Sequence, residues 1–233
     1  MTPILAALLC GSVFALAAAF VVLPMAREIP ARLERQWARE LENHARAETD
    51  ASEPAPRVDS FLFKVIMVAL ALLLGVVVAL TYGWTTAGAA YSLYYFGLLL
   101  LVTINVKHAL LPDSVVLTTL WIGLLYHACI DGSAATHLYG AALGYLVPFL
   151  IGLVFKASTG RVVIGGGDLK TLAMAGAWFG LGALPAILVT FVLGCVLWAV
   201  VMHFVDRNSR GFLSTGPAHL LASMAVTLGA GTF

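Results

Sequence analysis

Gly165-Gly166-Gly167-Asp168-Leu169-Lys170 separates two long apolar runs and carries one of only four carboxylates beyond residue 59. Three successive glycines let the backbone bend and approach another group closely, and the Asp sits where a new hydrophobic helix begins. The chain on either side is therefore read as separate apolar helices joined at this turn. Two roles are open to the Asp on these six residues alone. It caps the next helix, or it is a functional acid at the edge of a membrane bundle, where ionisable residues mark sites.

Outward from that turn, the composition sets the class. In 233 residues, 61% are hydrophobic and 11% charged, with a mean hydropathy of +0.96, outside the range of soluble globular domains. The expected fold is all-α, a polytopic membrane protein of about eight spans. The first run, residues 3–25, is too long and too apolar for a signal-peptide core and lacks a basic segment before it, so it reads as a retained helix. Eight of the twelve acidic residues lie at or before Asp59, which makes residues 26–60 the one substantial water-facing segment. Within it Leu33, Trp37 and Leu41 recur every four residues, as in a short helix lying on the membrane surface, and Glu48 to Pro56 reads as a flexible connector. Further helices are expected at about 61–82, 87–105, 114–130, 134–155, 169–183, 185–204 and 213–231. Three regions follow: a first helix over 1–25, a cytoplasmic loop over 26–60 and a seven-helix core over 61–233. The 169–183 segment is short for a span of roughly 20 residues and is expected to be buried among its neighbours.

Orientation follows from the bases. All thirteen Lys and Arg fall on one side of this map: seven from Arg27 to Lys64, then Lys107, then Lys156, Arg161 and Lys170, then Arg207 and Arg210. The opposite connections, around Gly83, Gly132, Gly182 and the C-terminal end, hold none. The positive-inside rule makes the basic side cytoplasmic and puts both termini outside. Asp168 and the loop from Asn105 to Asp113 then share the cytoplasmic boundary.

Few residues there can carry chemistry. Cys10, Cys129 and Cys195 are single residues in separate apolar runs and read as small core residues. The six histidines show no i, i+4 His pair of a helical metal site. Gly140 with Gly144, and Gly176 with Gly180, suit close helix contact. Of the four late carboxylates, Asp131 lies in an external turn and Asp206 beside Arg207 in a loop, both with ordinary solvated roles. Asp113 and Asp168 remain. Two carboxylates at one boundary suit an aspartyl dyad, in which one group keeps a shared proton and acts as acid while the other acts as base.

Gly165-Gly166-Gly167-Asp168-Leu169-Lys170 followed by Leu172-Ala173-Met174-Ala175-Gly176-Ala177-Trp178 resembles the G-x-G-D-x-K block of type IV prepilin peptidases. His108-Ala109-Leu110-Leu111-Pro112-Asp113 resembles that family's other motif, and Leu33 to Trp37 the opening of its cytoplasmic loop. The resemblance implies an intramembrane aspartyl endopeptidase of the bacterial inner membrane. It would remove the basic leader of type IV prepilins or type II secretion pseudopilins at the cytoplasmic boundary. It further implies that the first catalytic Asp stands eight residues before the Asp of Leu-Pro-Asp. That position is Asn105 here.

The resemblance thus replaces Asp113 with position 105 as the partner of Asp168. Asp113, between Pro112 and Ser114, is left with N-capping as a sufficient role. An Asn amide is nearly isosteric with Asp but cannot take the catalytic proton, so the chain as written is expected to be inactive. Gly165 and Gly167 are expected to let the Asp168 backbone approach the dyad and substrate, and Lys170 either to stabilise nearby negative charge or, the reading favoured, to face lipid phosphates. Many members of the family bind zinc through paired C-x-x-C motifs in the cytoplasmic loop and also methylate the new N-terminus with S-adenosylmethionine. Residues 26–60 contain no Cys, so zinc of that kind is excluded and the methyl transfer is in doubt. Proteolysis itself calls for no cofactor, and the expected partners are the prepilin and membrane lipid, with no nucleic acid. Two other classes remain: a pilin-binding assembly factor without catalysis, which would tolerate Asn105, and a small transporter, disfavoured because no internal repeat is found.

Overall fold

The computed structural model describes residues 3–44, 61–205 and 214–230, and among these the chain is helices joined by short turns. Helix α1 (Pro3–Ala17) passes through a π-helical turn, Ala18–Val22, into α2 (Leu23–His44). Then come α3 (Phe61–Tyr82), α4 (Thr86–His108), α5 (Asp113–Tyr126) with a π-helical end at His127–Asp131, α6 (Ala134–Thr159), α7 (Gly166–Val205) and α8 (Gly216–Ala230). Six helical stretches among the described residues are long and apolar enough to cross a membrane. The fold is the expected all-α polytopic membrane protein, and many large apolar side chains, Phe20, Leu80, Trp121 and Val154 among them, face outward as a lipid-facing surface requires.

Two elements differ from the sequence expectation. The first helix does not end near Met25; the chain stays helical to His44, with Pro30 inside it. The expected pair of helices 169–183 and 185–204 is a single run, Gly166–Val205, broken at Gly180 and not at the Leu181-Gly182-Ala183 turn. Gly180 has φ +76° and ψ 177°, a conformation open to glycine and strained for any other residue. The half before the break is buried, as expected of a segment too short to span: Thr171 to Trp178 are all inaccessible. The connector at 48–56 and the Asp206–Arg207 loop lie outside the described residues.

Helix α4 is the hub. Its sequence is apolar all round, and such a helix has no face to give to water. Tyr94, Tyr95, Leu98, Leu99, Leu101 and Ile104 are inaccessible. The buried tyrosine hydroxyls need partners, and α8 supplies them: Tyr94 Oη lies 2.6 Å from Ser223 Oγ, and Tyr95 Oη 2.6 Å from Thr227 Oγ1. With Asn105 bonded to Gly216 at the start of α8, these bonds near the other end of the pair show α8 running antiparallel to α4. Helices α6 and α7 meet through their glycines. A Cβ on Gly176 would come within 2.1 Å of the Gly140 carbonyl oxygen, and one on Gly140 within 2.4 Å of the Gly176 carbonyl oxygen. The two backbones therefore touch, as the small-residue spacing implied.

Candidate active site

Three helix ends converge at the basic end of the bundle. Asn105 sits one turn before the end of α4, and its own carbonyl accepts the Ala109 N–H at 2.8 Å where Ala109 closes the helix in the left-handed conformation. Asp168 is in the first turn of α7. Between them lies the short lead into α8, Ser214-Thr215-Gly216.

This lead is shared by the two sites in alternation. Asn105 Oδ1 accepts from Ser214 Oγ at 2.9 Å and from the Gly216 N–H at 2.6 Å. Asp168 Oδ1 accepts from Thr215 Oγ1 at 2.5 Å and pairs with His219 Nε2 at 3.1 Å. Since Gly216 N can only donate, the oxygen of the Asn105 amide faces it, and Nδ2 is left towards the Leu110 carbonyl at 3.5 Å, a weak contact. Asn105 is thus a side-chain cap for the first turn of α8, supplied from another helix. Among the described residues Asn105 and Asp168 share no direct hydrogen bond; one tripeptide holds both.

The setting is largely dry. Asn105 is 4% exposed, and the side chains of Asp168 and His219 are 13% and 2% exposed. The glycines of the motif make room. A Cβ on Gly165 would stand 3.2 Å from Asp168 Oδ2, and one on Gly167 would stand 3.0 Å from the Leu111 side chain. Gly167 thereby seats the α7 turn against the Leu110-Leu111-Pro112 segment, so the two motifs are in contact.

Asp113 departs from its expected role, and Lys170 takes the less favoured of its two, beside a negative charge. Asp113 is the first residue of α5 but makes no capping bond; Pro112 occupies the cap position. Lys170 Nζ donates instead to Asp113 Oδ2 at 2.5 Å, with the two side chains 35% and 55% exposed. Lys170 therefore does not extend freely to lipid phosphates, and the pair clips the start of α5 to the first turn of α7. Asp113 is spent on this bond and is not bonded to Asp168. Thr215, Gly216 and His219 carried no motif in the sequence. Only the small polar run before an apolar helix hinted at a structured N-terminus there.

Fold and site together define an all-helical, multi-pass membrane protein with an acid and an amide held on one tripeptide at the end of its bundle. Comparison with known sequences gives the family. Residues 91–203 match the type IV leader peptidase family. Over 168 residues the chain is 37% identical to a prepilin leader peptidase/N-methyltransferase of Stutzerimonas stutzeri and 36% identical to that of Pseudomonas aeruginosa, covering 71% of this chain and 58% of each relative. It is 36% identical over 138 residues to the one of Escherichia coli K12, covering 58% of this chain and 60% of the relative. The chain belongs to the type IV prepilin peptidase family, and it spans under two thirds of the length of these relatives. No solved structure matches it.

Proposed function

We propose that this is a leader endopeptidase scaffold for type IV prepilins or type II secretion pseudopilins, and that Asn105 leaves it inactive as written. One observation carries the reading: position 105 and Asp168 are held by alternate residues of one tripeptide, Ser214 and Gly216 to the first, Thr215 to the second. That arrangement suits a dyad in which two acids address one water. With Asp at 105, one carboxylate would take a proton from the water as it attacks the scissile carbonyl. The other, protonated, would polarise that carbonyl and then protonate the leaving amine. Thr215 and His219 would orient Asp168, so that its second oxygen is the one free for the water. An amide at 105 cannot exchange the proton, and the cycle stops.

The substrate's apolar stem would lie along the bundle, with its basic leader in the cytoplasm, in keeping with the bases at this end. The active site would then face the cytoplasm from the inner membrane, with both termini outside. S-adenosylmethionine would enter only if a methyl transfer is retained. A prepilin cleavage assay comparing the chain as written with Asn105→Asp tests the proposal. Cleavage is expected only from the Asp form, and robust cleavage by the unaltered chain would show that position 105 is not the dyad partner.

A second reading, a pilin-binding factor without catalysis, draws on the fit of the amide itself: its oxygen takes two donors and its nitrogen points at a carbonyl. Under that reading the Asp form binds prepilin and leaves it uncut.

A further inference from the structure

At the other end of the bundle, some 18 residues along α5 and its π-helical end from Asp113, or about 27 Å at helical rise, three side chains converge that the peptidase reading does not use. His127, Asp131 and His137 each offer one ligand atom, and those atoms all lie within 4.8 Å of one another. His127 Nδ1 is 3.0 Å from Asp131 Oδ2, which also accepts from Ser133 Oγ. His127 and His137 are stacked, centroids 3.3 Å apart and planes within 8°. In sequence the i, i+4 pair here was His with Asp, which a search for paired histidines passes over.

The break in α7 fixes how these rings are protonated. Ala177 and Trp178 lie in the last turn before Gly180, where the backbone leaves the helical conformation. His137 Nδ1 is 3.0 Å from the Ala177 carbonyl oxygen, and His127 Nε2 is 3.1 Å from that of Trp178, which also accepts from Tyr91 Oη. A backbone carbonyl only accepts, so each of those nitrogens carries its hydrogen. In the neutral rings the lone pairs are then on His127 Nδ1 and His137 Nε2. His127 Nδ1 faces a carboxylate oxygen that is also an acceptor. Two acceptors 3.0 Å apart, with a second imidazole lone pair on the neighbouring ring, call for a proton or a metal cation between them.

We propose that His127, Asp131 and His137 form a binding site for a late first-row divalent ion of the zinc class. Each imidazole donates its other N–H to a backbone carbonyl, the arrangement that fixes the tautomer of metal-bound histidine. Two imidazoles and a carboxylate are an ordinary ligand set for zinc. The 3.0 Å between His127 Nδ1 and Asp131 Oδ2 is close to the roughly 3.3 Å that separates two ligands on a tetrahedral zinc. Binding tilts the His137 ring off its stack about its Nδ1–H bond to the Ala177 carbonyl, which brings Nε2 to the ion with that bond kept, and water completes the shell. The bound ion ties the turn between α5 and α6 to the break in α7, a structural effect at the end remote from Asp168.

The test uses the full chain, untagged, in detergent micelles at neutral pH, titrated with Zn2+ against an indicator and followed by thermal unfolding. The expected result is one Zn2+ per chain with a raised Tm, and at least a 30-fold weaker affinity in the double variant Asp131→Asn, His137→Gln. Absence of saturable binding, or binding unchanged in that variant, overturns the site. Should the variant not fold, Co2+ bound to the unaltered chain decides. Visible bands of nitrogen and oxygen ligation support the site, and an intense thiolate-to-cobalt band assigns the ion to a cysteine and overturns it.

Discussion

Replacing Asn105 by Ala removes the cap that α4 supplies to α8, and the cost can be worked from its contacts. The Gly216 N–H is buried and loses its acceptor at 2.6 Å. A buried donor left unpaired costs about 1–3 kcal/mol. The Ser214 hydroxyl is only half-buried and recovers water, and the 3.5 Å contact from Nδ2 to Leu110 is too long to add much. The loss of an N-cap is by itself worth about 0.5–2 kcal/mol, so the variant should be destabilised by about 1–3 kcal/mol in all. Asn105→Asp should behave otherwise. It keeps an oxygen in front of both donors, and a carboxylate at a helix N-terminus gains about 0.3–1 kcal/mol from the helix dipole. Against this stand burial and the nearby Asp168, which are met if the residue takes a proton and donates to Leu110. The expected order is therefore Asp close to Asn, with Ala clearly below both. Denaturant or thermal unfolding of the three proteins in one detergent measures it. An Ala form as stable as Asn, or an Asp form as weak as Ala, would refute the capping account and with it the shared tripeptide.

In the Asn105→Asp background, Thr215→Val and His219→Gln each remove a partner of the Asp168 carboxylate; a bond to a charged group is worth about 1.5–3 kcal/mol, so kcat for prepilin cleavage should fall by about 10- to 150-fold with KM little changed. Gly176→Val sets side-chain atoms where the Gly140 backbone already lies, and it should cost several kcal/mol or abolish folding, on the order of the largest point-mutant losses, as read from expression and detergent stability. Asp113→Asn and Lys170→Met break an ion pair that is substantially exposed, so each should lower stability by less than about 1 kcal/mol, and a double-mutant cycle should return a coupling of that size.

The fold was legible because its signal is long-range and redundant. Runs of some twenty apolar residues admit one interpretation, and Phe61–Tyr82 has the bounds its hydropathy implies. The sequence points to a break in α7 a few residues late because Leu181-Gly182-Ala183 and Gly180 look alike in composition. Only the conformation at Gly180 distinguishes them. Asn105 and Asp168 could be paired only through the family pattern, since charge alone favours Asp113. In the structure Asp113 is bonded to Lys170 and not to Asp168. Thr215 and His219 were not legible because a hydrogen bond between residues 47 or 51 positions apart leaves no periodicity in a single sequence.

Helix α7 ties the two ends of the molecule to one constraint. Its first half, Gly166 to Gly180, is too short to cross a bilayer, and Thr171 to Trp178 within it are buried. Burial of a short half-helix leaves polar backbone groups exposed at each end inside a bundle, and each set must find partners. At the start, the glycine turn brings Asp168 to the threonine and histidine of α8. At the break, the carbonyls of Ala177 and Trp178 take hydrogens from His137, His127 and Tyr91. Of the buried polar side chains, Asn105 and His219 lie where α7 begins and His127 and His137 where it breaks, while Thr103, Ser223 and Thr227 serve the contacts of α4. A short, glycine-bounded helix in a membrane bundle is a place to look for chemistry, because its ends supply backbone dipoles in dry surroundings: here they hold an acid on one side and, on the other, two stacked imidazoles, one of them facing a carboxylate.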